Sequence, residues 1–417
     1  MHQTPWQAYQ NLYKQYPVVF FLDSITFRKP NQNISLIGCD IHSELKIHES
    51  ALKRPAAALR KIRKFISSGD KQVFGYFGYE SAGLFESIKF RKKKQTGYPL
   101  VYLVKFNHIY RYDHAISKWL GGEPRRPARN ARDGAKFEFR NFKAEISKKD
   151  FLKKIIRAKK YIGAGDIYQA NLSQKFTFDY TGSPLAIYGL LRHINPSPFS
   201  SFLKIRDLQV ASASPERLIQ KKGSWCETRP IAGTCARTTN HGPRTKEELA
   251  SWKKNLLGSA KERAEHLMLV DLERNDLGRV CDYESVKVDE FMTLEKYSHV
   301  VHLVSSVTGK LRKDKDGLDL FAAMFPGGTI TGCPKIHCME IIDMLEPSRR
   351  GLYTGSIGYF TPSGNLDWNI VIRTLVFSKG KGSFQVGAGI VHDSDPEKEY
   401  KETLAKGEAL MHALANL

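Results

Sequence analysis

The chain has 417 residues, with 65 Lys or Arg against 43 Asp or Glu, which gives a formal charge of +22 and a pI near 9.6. Hydrophobic residues make up 41% and are spread along the whole length, which excludes a disordered or fibrous chain. No stretch reaches the roughly 20 apolar residues of a membrane-spanning helix, and the N-terminus lacks a signal-peptide pattern. We therefore expect a soluble cytoplasmic protein.

Much of the positive charge lies in the first 160 residues, in runs such as 91–94 and 148–154. A nucleic-acid-binding protein would place such residues beside aromatic side chains in a recognisable module. The sequence has no zinc-finger spacing, no RNP-like strand and no GxxxxGK[ST] loop. The pattern favours a basic surface without a nucleic-acid or membrane partner. The competing class is a basic binding protein without catalysis, which would show steep salt-dependent retention on DNA.

Short alternating apolar stretches in the N-terminal part predict strands, with one helix among them. The strands are expected at 18–24, 33–38, 72–79 and 99–112, and the helix at 50–67. The stretch 121–134 is rich in Gly, Pro and Arg and is typical of a solvated linker.

After the linker, helices and strands alternate without a regular βαβ period. Helices are predicted at 148–162, 245–271 and 331–345, and strands at 168–178, 355–360 and 369–377. Runs of strands beside long helices indicate a mixed α+β architecture.

Two acidic pairs at i, i+3 spacing stand out, Glu262 with Glu265 and Glu399 with Glu402. On a helix each pair shares one face. Four carboxylates on two facing helices would suit Mg²⁺, which takes few protein ligands and several waters. The alternative interpretation of each pair is a solvated helix face.

Two glycine-rich segments, FPGGTITGCPK at 325–335 and VGAGIVHDS at 386–394, offer backbone N–H groups to an anion. Arg373 and Lys406 would add full charges to such a site. The titratable or polar candidates are Glu216, His302, Tyr353 and Gln169. Glycine turns without an anion are common, and a histidine in an apolar strand is more often a core residue, so only the joint pattern is informative.

Taken together, DIYQANLSQ, SPER, RPIAGT, KERAEHLMLVDLERNDLGRV, YSHVVHLVSSVTG, FPGGTITGCPK, GSIGYF and GAGIVHDSDPEKEYKET resemble the chorismate-utilising enzymes. This family includes the large subunits of anthranilate synthase and aminodeoxychorismate synthase, with isochorismate and salicylate synthases as cousins. The resemblance implies an anthranilate synthase component I-like fold, two face-to-face β-sheets flanked by helices in α/β/β/α layers. It also implies that residues 1–140 contribute strands to the same fold as a catalytic region at 141–417.

The resemblance assigns roles residue by residue. Glu265 and Glu402 are similar to direct Mg²⁺ ligands, and Glu262 and Glu399 to ligands acting through water. The ion would hold the ring carboxylate of chorismate and draw electron density toward the leaving C4 hydroxyl. Glu216 resembles the general acid that protonates this hydroxyl.

The other positions are expected to contact the substrate. His302 is similar to the family histidine beside the C4 and pyruvyl region. The remaining expected substrate residues are Gly233, Thr234, Thr329, Tyr353, Arg373, Gly387, Gly389 and Lys406.

The motifs also bear on the branch of the family. Cousins that add water to chorismate carry a lysine at the position of Gln169, so this chain resembles the ammonia-using branches. Ala232 in RPIAGT, the helix KERAEHLMLVDLERNDLGRV and YSHVV lean toward anthranilate synthase. NLSQ, PFSSFL, SPERL, FPGGTITG, TGSIGY and FLDS lean toward aminodeoxychorismate synthase, and they are more numerous. We therefore expect aminodeoxychorismate synthase component I, with anthranilate synthase component I as the alternative.

Neither enzyme would make ammonia from glutamine with this chain. A class I glutaminase needs a cysteine nucleophile in a GxCxG-like turn, and GTCAR around Cys235 does not fit. A separate glutamine amidotransferase subunit, component II, is therefore an expected partner, alongside chorismate and ammonia.

Overall fold

The computed structural model describes residues 3–24, 33–125, 136–236, 258, 260–296 and 300–416, with the backbone alone at 232–236, 260–262, 296 and 300–302. The helices are α1 Pro5–Gln15, α2 Pro55–Ser67, α3 Ala82–Phe85, α4 Lys148–Gly163, α5 Pro184–Ile194, α6 Ala260–Gly278, α7 Gly317–Met324, α8 Lys335–Leu345 and α9 Pro396–Ala415. The strands of the N-terminal half are β1 Val18–Asp23, β2 Ile34–Ile47, β3 Val73–Phe77, β4 Val101–Asp113, β5 Lys118–Leu120, β6 Glu138–Ala144, β7 Gln169–Thr181, β8 Phe199–Ile205 and β9 Leu208–Ser214. The later strands are β10 Arg217–Lys222, β11 Trp225–Thr228, β12 Ile231–Ala236, β13 Lys287–Lys296, β14 Val300–Lys310, β15 Gly332–Cys333, β16 Ser356–Phe360, β17 Leu366–Asn369, β18 Thr374–Ser378 and β19 Lys381–Ile390.

The strands form two antiparallel sheets that are joined by one long strand pair, β2 with β4. The first sheet runs in the order β6, β7, β19, β18, β9, β8, β1 and β2. The second runs β4, β3, β16, β17, β10, β11, β14 and β13, with β12 also paired to β14. Strands from the first 113 residues thus pair directly with strands beyond residue 199.

The strand pair of β2 with β4 continues from one sheet into the other. β2 and β4 pair from Ile34 to Ile47, with a register shift between Ile41 and Ser43 and a positive φ of 62° at Asp40. A bulge of this kind bends a strand and increases its twist. Gly38 allows the close approach, because a Cβ there would lie 2.3 Å from the Phe106 ring.

Side chains of β1 alternate between the two faces of its sheet, and each face packs against a different layer of the core. Phe20 packs in the cluster between the sheets, together with Phe74 and Leu203. Phe21 points the other way, into the cluster that α1, α5 and α9 cover. A further cluster joins the second sheet to α2, α6 and α7. The predicted α+β fold with two face-to-face sheets flanked by helices is confirmed.

Two predicted helices differ from the structure at one end, the first in where it ends and the second in where it begins. The helix predicted at 245–271 runs from Ala260 to Gly278, and 245–257 and 259 lie outside the described residues. The helix predicted at 331–345 begins only at Lys335, because Gly332 and Cys333 pair with β7 as a short strand.

The continuous strand predicted at 369–377 is wrong. The chain leaves β17, which pairs with the second sheet, and enters β18, which pairs with the first. The crossover includes Arg373, whose φ is +51°. A chain that changes sheets cannot keep one ladder, and the apolar pattern does not record this change.

Within the described ranges, no helix combines the length and the apolar character needed to cross a membrane.

Candidate active site

Two neighbouring strands, β7 and β19, form one wall of the candidate site. Ala170 and Leu172 of β7 pack toward α4 and α8. Because side chains alternate along a strand, Gln169 and Asn171 face the opposite side. Asn171 lies opposite Gly389 of β19 in the ladder. The amide oxygens of Gln169 and Asn171 are buried and have no hydrogen-bond partner among the described residues.

The glycines of β19 provide room for these amides. A Cβ at Gly389 would lie 2.3 Å from Gln169 Nε2. A Cβ at Gly387 would lie 2.6 Å from Asn171 Oδ1 and 2.7 Å from the Tyr353 hydroxyl. Both positions therefore need glycine because polar side chains approach the strand closely.

The glycine-rich segment 325–335 folds over this wall. Gly327 and Gly328 are closely packed, since a Cβ would lie 2.6 Å from Ile370 Cδ1 and 2.4 Å from Leu272 Cδ2, respectively. Asn171 Nδ2 lies 3.5 Å from the carbonyl oxygen of Thr329. The segment ends at Lys335, whose ammonium binds the Asp276 carboxylate at 2.5 Å. Packing thus accounts for these two glycines, and anion binding by the segment stays a prediction.

Glu216 lies in the connection between β9 and β10, and the residue is buried, with 5% of its surface exposed. Its main-chain oxygen accepts a hydrogen bond from Ile370 N at 3.0 Å. Burial raises the pKa of Glu216 to about 7, and the nearby Thr329 hydroxyl, Lys406 and Arg373 oppose the rise. Within the part of the chain that the structure describes, its Oε1 has no partner in hydrogen-bonding geometry. The group can therefore carry a proton at neutral pH and present it to a bound molecule.

Cations and a phenol surround the same space. Lys406 of α9 donates to the Gly387 carbonyl at 3.2 Å and pairs with Glu402 at 2.7 Å. Arg373 lies at the sheet crossover, where its carbonyl oxygen accepts from Ala213 N at 3.1 Å. Burial raises the pKa of Tyr353, so its hydroxyl remains a hydrogen-bond donor at neutral pH.

The acidic pairs lie on helices, as their spacing predicts. Glu265 of α6 accepts from Gln169 Nε2 at 3.1 Å. Glu402 is half exposed beside Lys406, whereas Glu399 is buried and accepts from Ser394 Oγ at 2.7 Å. Among the described residues, no three His, Cys, Asp or Glu side chains are close enough to hold a metal ion together.

The donor set still fits a hard cation that keeps most of its waters. Glu265 lies on α6 and Glu402 on α9, where Glu402 pairs with Lys406 and Lys406 donates to Gly387 of β19. A Cβ at Gly389 would lie 2.3 Å from Gln169 Nε2 and 3.5 Å from Glu265 Oε1, so glycine lets the amide that binds Glu265 lie against the strand. Carboxylate oxygens suit Mg²⁺ better than they suit softer metals.

Four predicted site residues have no described side chain, namely Gly233, Thr234, Glu262 and His302. Their backbone is described: Glu262 lies on α6, and Thr234 of β12 lies opposite His302 of β14.

A separate cavity of about 360 Å³ lies between the two sheets. Ser200, Arg217 and Asp367 are among the residues that line it. None of the predicted site residues with a described side chain does, so these residues gather at a different place.

Sequence reasoning missed two buried polar residues near the site. Asn171 belongs to a polar stripe at every second position of β7, with Gln169 and Ser173, and that period was visible in the sequence. Glu273 lies on α6 near Gly328, and burial together with Asp276 raises its pKa to about 8. An acidic residue in the apolar run LMLVDLERNDL was the available signal.

Comparison with known proteins gives the same family over the whole chain. The family model described as chorismate binding enzyme matches residues 2–412. The chain is 43% identical over 364 residues to aminodeoxychorismate synthase component 1 of Bacillus subtilis (strain 168), covering 82% of this chain and 76% of that protein. It is 44% identical over 356 residues to an anthranilate synthase component I-like protein of Synechocystis sp. (strain ATCC 27184 / PCC 6803 / Kazusa), covering 82% and 72%.

A solved structure agrees with this result. The crystal structure of anthranilate synthase component I from Streptococcus pneumoniae TIGR4 superposes with a TM-score of 0.79 at 29% identity, covering 97% of each chain. Together with the sequence relatives, this likeness covers both sheets and the candidate site. The chain is therefore a member of the chorismate binding enzyme family and an enzyme that uses chorismate.

Proposed function

We propose that the chain is the chorismate-aminating component I of an aminodeoxychorismate synthase, in the route to p-aminobenzoate and folate. In this reaction a bond forms between ammonia nitrogen and C4 of the ring, the C4–oxygen bond breaks, and the hydroxyl group leaves as water. The proposed reaction class rests on Glu216, a buried carboxyl group whose pKa is about 7 and which lies near the cations Lys406 and Arg373. It supplies the proton that the leaving hydroxyl needs.

The other residues bind and orient the substrate in this proposal. Tyr353, Arg373 and Lys406 bind the two carboxylates of chorismate, and Gly387 and Gly389 keep the strand surface open for the ring. Thr329, Gly233 and Thr234 line the same space, and His302 lies beside the C4 and pyruvyl region. Gln169 carries an amide where water-adding relatives have a basic lysine, which favours ammonia over water as the nucleophile.

Mg²⁺ is the proposed cofactor, which Glu265 and Glu402 would hold directly and Glu262 and Glu399 would hold through water. When bound, it would supply Lewis acid chemistry at the ring carboxylate, which favours loss of the C4 hydroxyl. Gln169 positions the Glu265 carboxylate through its 3.1 Å hydrogen bond.

The choice of product rests on the sequence motifs, because the two relatives are 43% and 44% identical and differ in their names. NLSQ, PFSSFL, SPERL, FPGGTITG and TGSIGY favour aminodeoxychorismate. Ala232, where aminodeoxychorismate synthases often have lysine, favours the alternative, anthranilate synthase component I. Under the favoured assignment, Ala232 implies direct attack by ammonia without a lysine adduct.

Purified chain with chorismate, Mg²⁺ and an ammonium salt is expected to form aminodeoxychorismate, detected as p-aminobenzoate after addition of a lyase. Fluorescent anthranilate appearing without the lyase would instead identify the alternative enzyme. With glutamine as the nitrogen source the isolated chain is expected to be inactive, because a separate amidotransferase subunit supplies ammonia. Full glutamine-dependent turnover by the chain alone would contradict the need for a separate amidotransferase subunit.

The glycines of β19 give a second prediction. Gly387→Ala is expected to lower kcat/KM for chorismate about 100-fold, because relieving a 2.6 Å contact requires a shift near 1 Å in Asn171 or Tyr353. Gly163→Ala is the control, since a Cβ at Gly163 meets nothing within 4 Å. Steady-state kinetics with thermal unfolding of both variants makes the test. Wild-type kinetics of Gly387→Ala would show that the strand surface is not part of the site.

A further inference from the structure

Arg350 is a buried cation that the proposed mechanism does not use. It lies in the segment between α8 and β16 and is 3% exposed. Its guanidinium binds Glu346 in a two-pronged pair, with Nε to Oε2 at 2.9 Å and Nη2 to Oε1 at 2.7 Å. This geometry neutralises both charges inside the protein and matches the planar fork of arginine.

The remaining donors of Arg350 reach three separate segments. Nη2 donates to the carbonyl oxygen of Asn171 at 2.7 Å, and Nη1 donates to the carbonyl oxygen of Ile330 at 3.0 Å. Nη1 also lies 3.3 Å from the Thr354 hydroxyl. Asn171 belongs to the site wall, Ile330 follows Thr329, and Thr354 follows Tyr353. One side chain therefore links three parts of the candidate site, through two main-chain carbonyl oxygens and one hydroxyl group.

The partners of Arg350 extend these links. Glu346 Oε1 accepts from the backbone N and hydroxyl of Ser173 at 2.9 and 2.8 Å, which fixes a second point on β7. Glu80 accepts from the backbone N of Arg350 at 2.8 Å. The guanidinium also lies 5.5 Å from the centre of the Tyr353 ring, a cation–π contact that orients the phenol.

We propose that Arg350 is a positioning residue for chorismate binding, which sets the relative places of Asn171, Thr329 and Tyr353 without touching the substrate. The inference rests on the proposed function, because it assumes that these three residues line the chorismate site. Arginine is required because a lysine ammonium cannot make the paired contact with Glu346 and also reach three segments.

The test compares two neighbouring arginines. Arg350→Lys is expected to raise KM for chorismate about tenfold while kcat falls less than about threefold, since ground-state and transition-state binding weaken together. Arg349→Lys is the matched control, because Arg349 is also buried, at 6% exposure, and its Nη1 pairs with Asp343 Oδ1 at 3.4 Å. The control is expected to lower thermal stability and leave KM unchanged.

A merely structural role predicts a different result. Misfolding of part of the Arg350→Lys protein would reduce the apparent kcat and leave KM at its wild-type value, and that outcome overturns the proposal. An equal rise of KM in Arg349→Lys also overturns it.

A second variant covers the case in which Arg350→Lys does not fold. The double variant Arg350→Gln with Glu346→Gln removes both charges and keeps an acceptor for Ser173 and a donor for one of the carbonyl oxygens. It is expected to fold and to show a KM at least about tenfold above wild type, and a wild-type KM contradicts the proposal. Chorismate consumption is the readout, so the result is independent of whether aminodeoxychorismate or anthranilate forms.

Discussion

Glu216→Gln is expected to lower kcat by about 10²–10⁴-fold, the usual contribution of a general acid. The amide has the same shape as the carboxyl group but cannot give up a proton to the leaving C4 hydroxyl. Chorismate binding is expected to remain, measured by calorimetry in the presence of Mg²⁺. Glu273→Gln is the matched control, because it also removes a buried carboxyl group with a raised pKa, and it should keep kcat within about threefold. An inactive Glu273→Gln beside an active Glu216→Gln would reverse the assignment.

The pH dependence of the wild-type enzyme follows from the same group. Glu216 must be protonated to act as an acid, and its pKa is about 7. The value of kcat is therefore expected to fall about tenfold per pH unit above pH 7, because Glu216 loses its proton there. A kcat profile that stays level from pH 6 to pH 9 would contradict the role.

Stability should change in the opposite direction to activity in Glu216→Gln. The folded-state pKa is raised from 4.5 to about 7, so the folded wild type binds the proton more tightly than the unfolded chain does. The stability present below pH 4.5 is consequently lost as the pH rises through 7. The amide has no such loss, and at pH 8 the variant is expected to be more stable by about 1–3 kcal/mol. Thermal unfolding at pH 5 and pH 8 measures this difference.

Glu402→Ala and Glu265→Ala are each expected to abolish Mg²⁺-dependent turnover, with a loss of at least about 100-fold. Each removes one of two direct carboxylate ligands in the proposed metal site. The Glu402 pair with Lys406 is half exposed, with side-chain exposures of 49% and 42%, so its loss should cost less than about 1 kcal/mol of stability. Mg²⁺ binding by calorimetry should weaken in parallel with turnover.

The same helix offers a matched control for Glu402. Glu397 pairs with Lys148 at 2.7 Å, with side-chain exposures of 51% and 48%. Glu397→Ala removes a comparable ion pair and is expected to leave Mg²⁺ binding and turnover unchanged. Normal Mg²⁺-dependent activity in either Glu402→Ala or Glu265→Ala would remove the metal assignment.

The elements near the site could be predicted to different extents. The strand at 168–178 and the helix at 148–162 were found within a few residues, because their apolar periods are local. The strand at 369–377 was not, because its break follows from a change of sheet. Each of these two strands has one partner close in the chain and one more than 100 residues away, β10 for β17 and β9 for β18, and a local period contains no information about the distant partner.

The sequence by itself determined the family, the helical placement of both acidic pairs and the residue types available for chemistry. Spacing of three or four residues and short motifs are properties of neighbouring residues, so they can be read before folding. The tertiary structure alone decided the proton on Glu216, the contact of Gln169 with Glu265 96 residues away, and the three links of Arg350. A pKa depends on how much water surrounding atoms exclude, and a buried hydrogen bond depends on which distant segments meet. Both are fixed only when the two sheets and their helices pack.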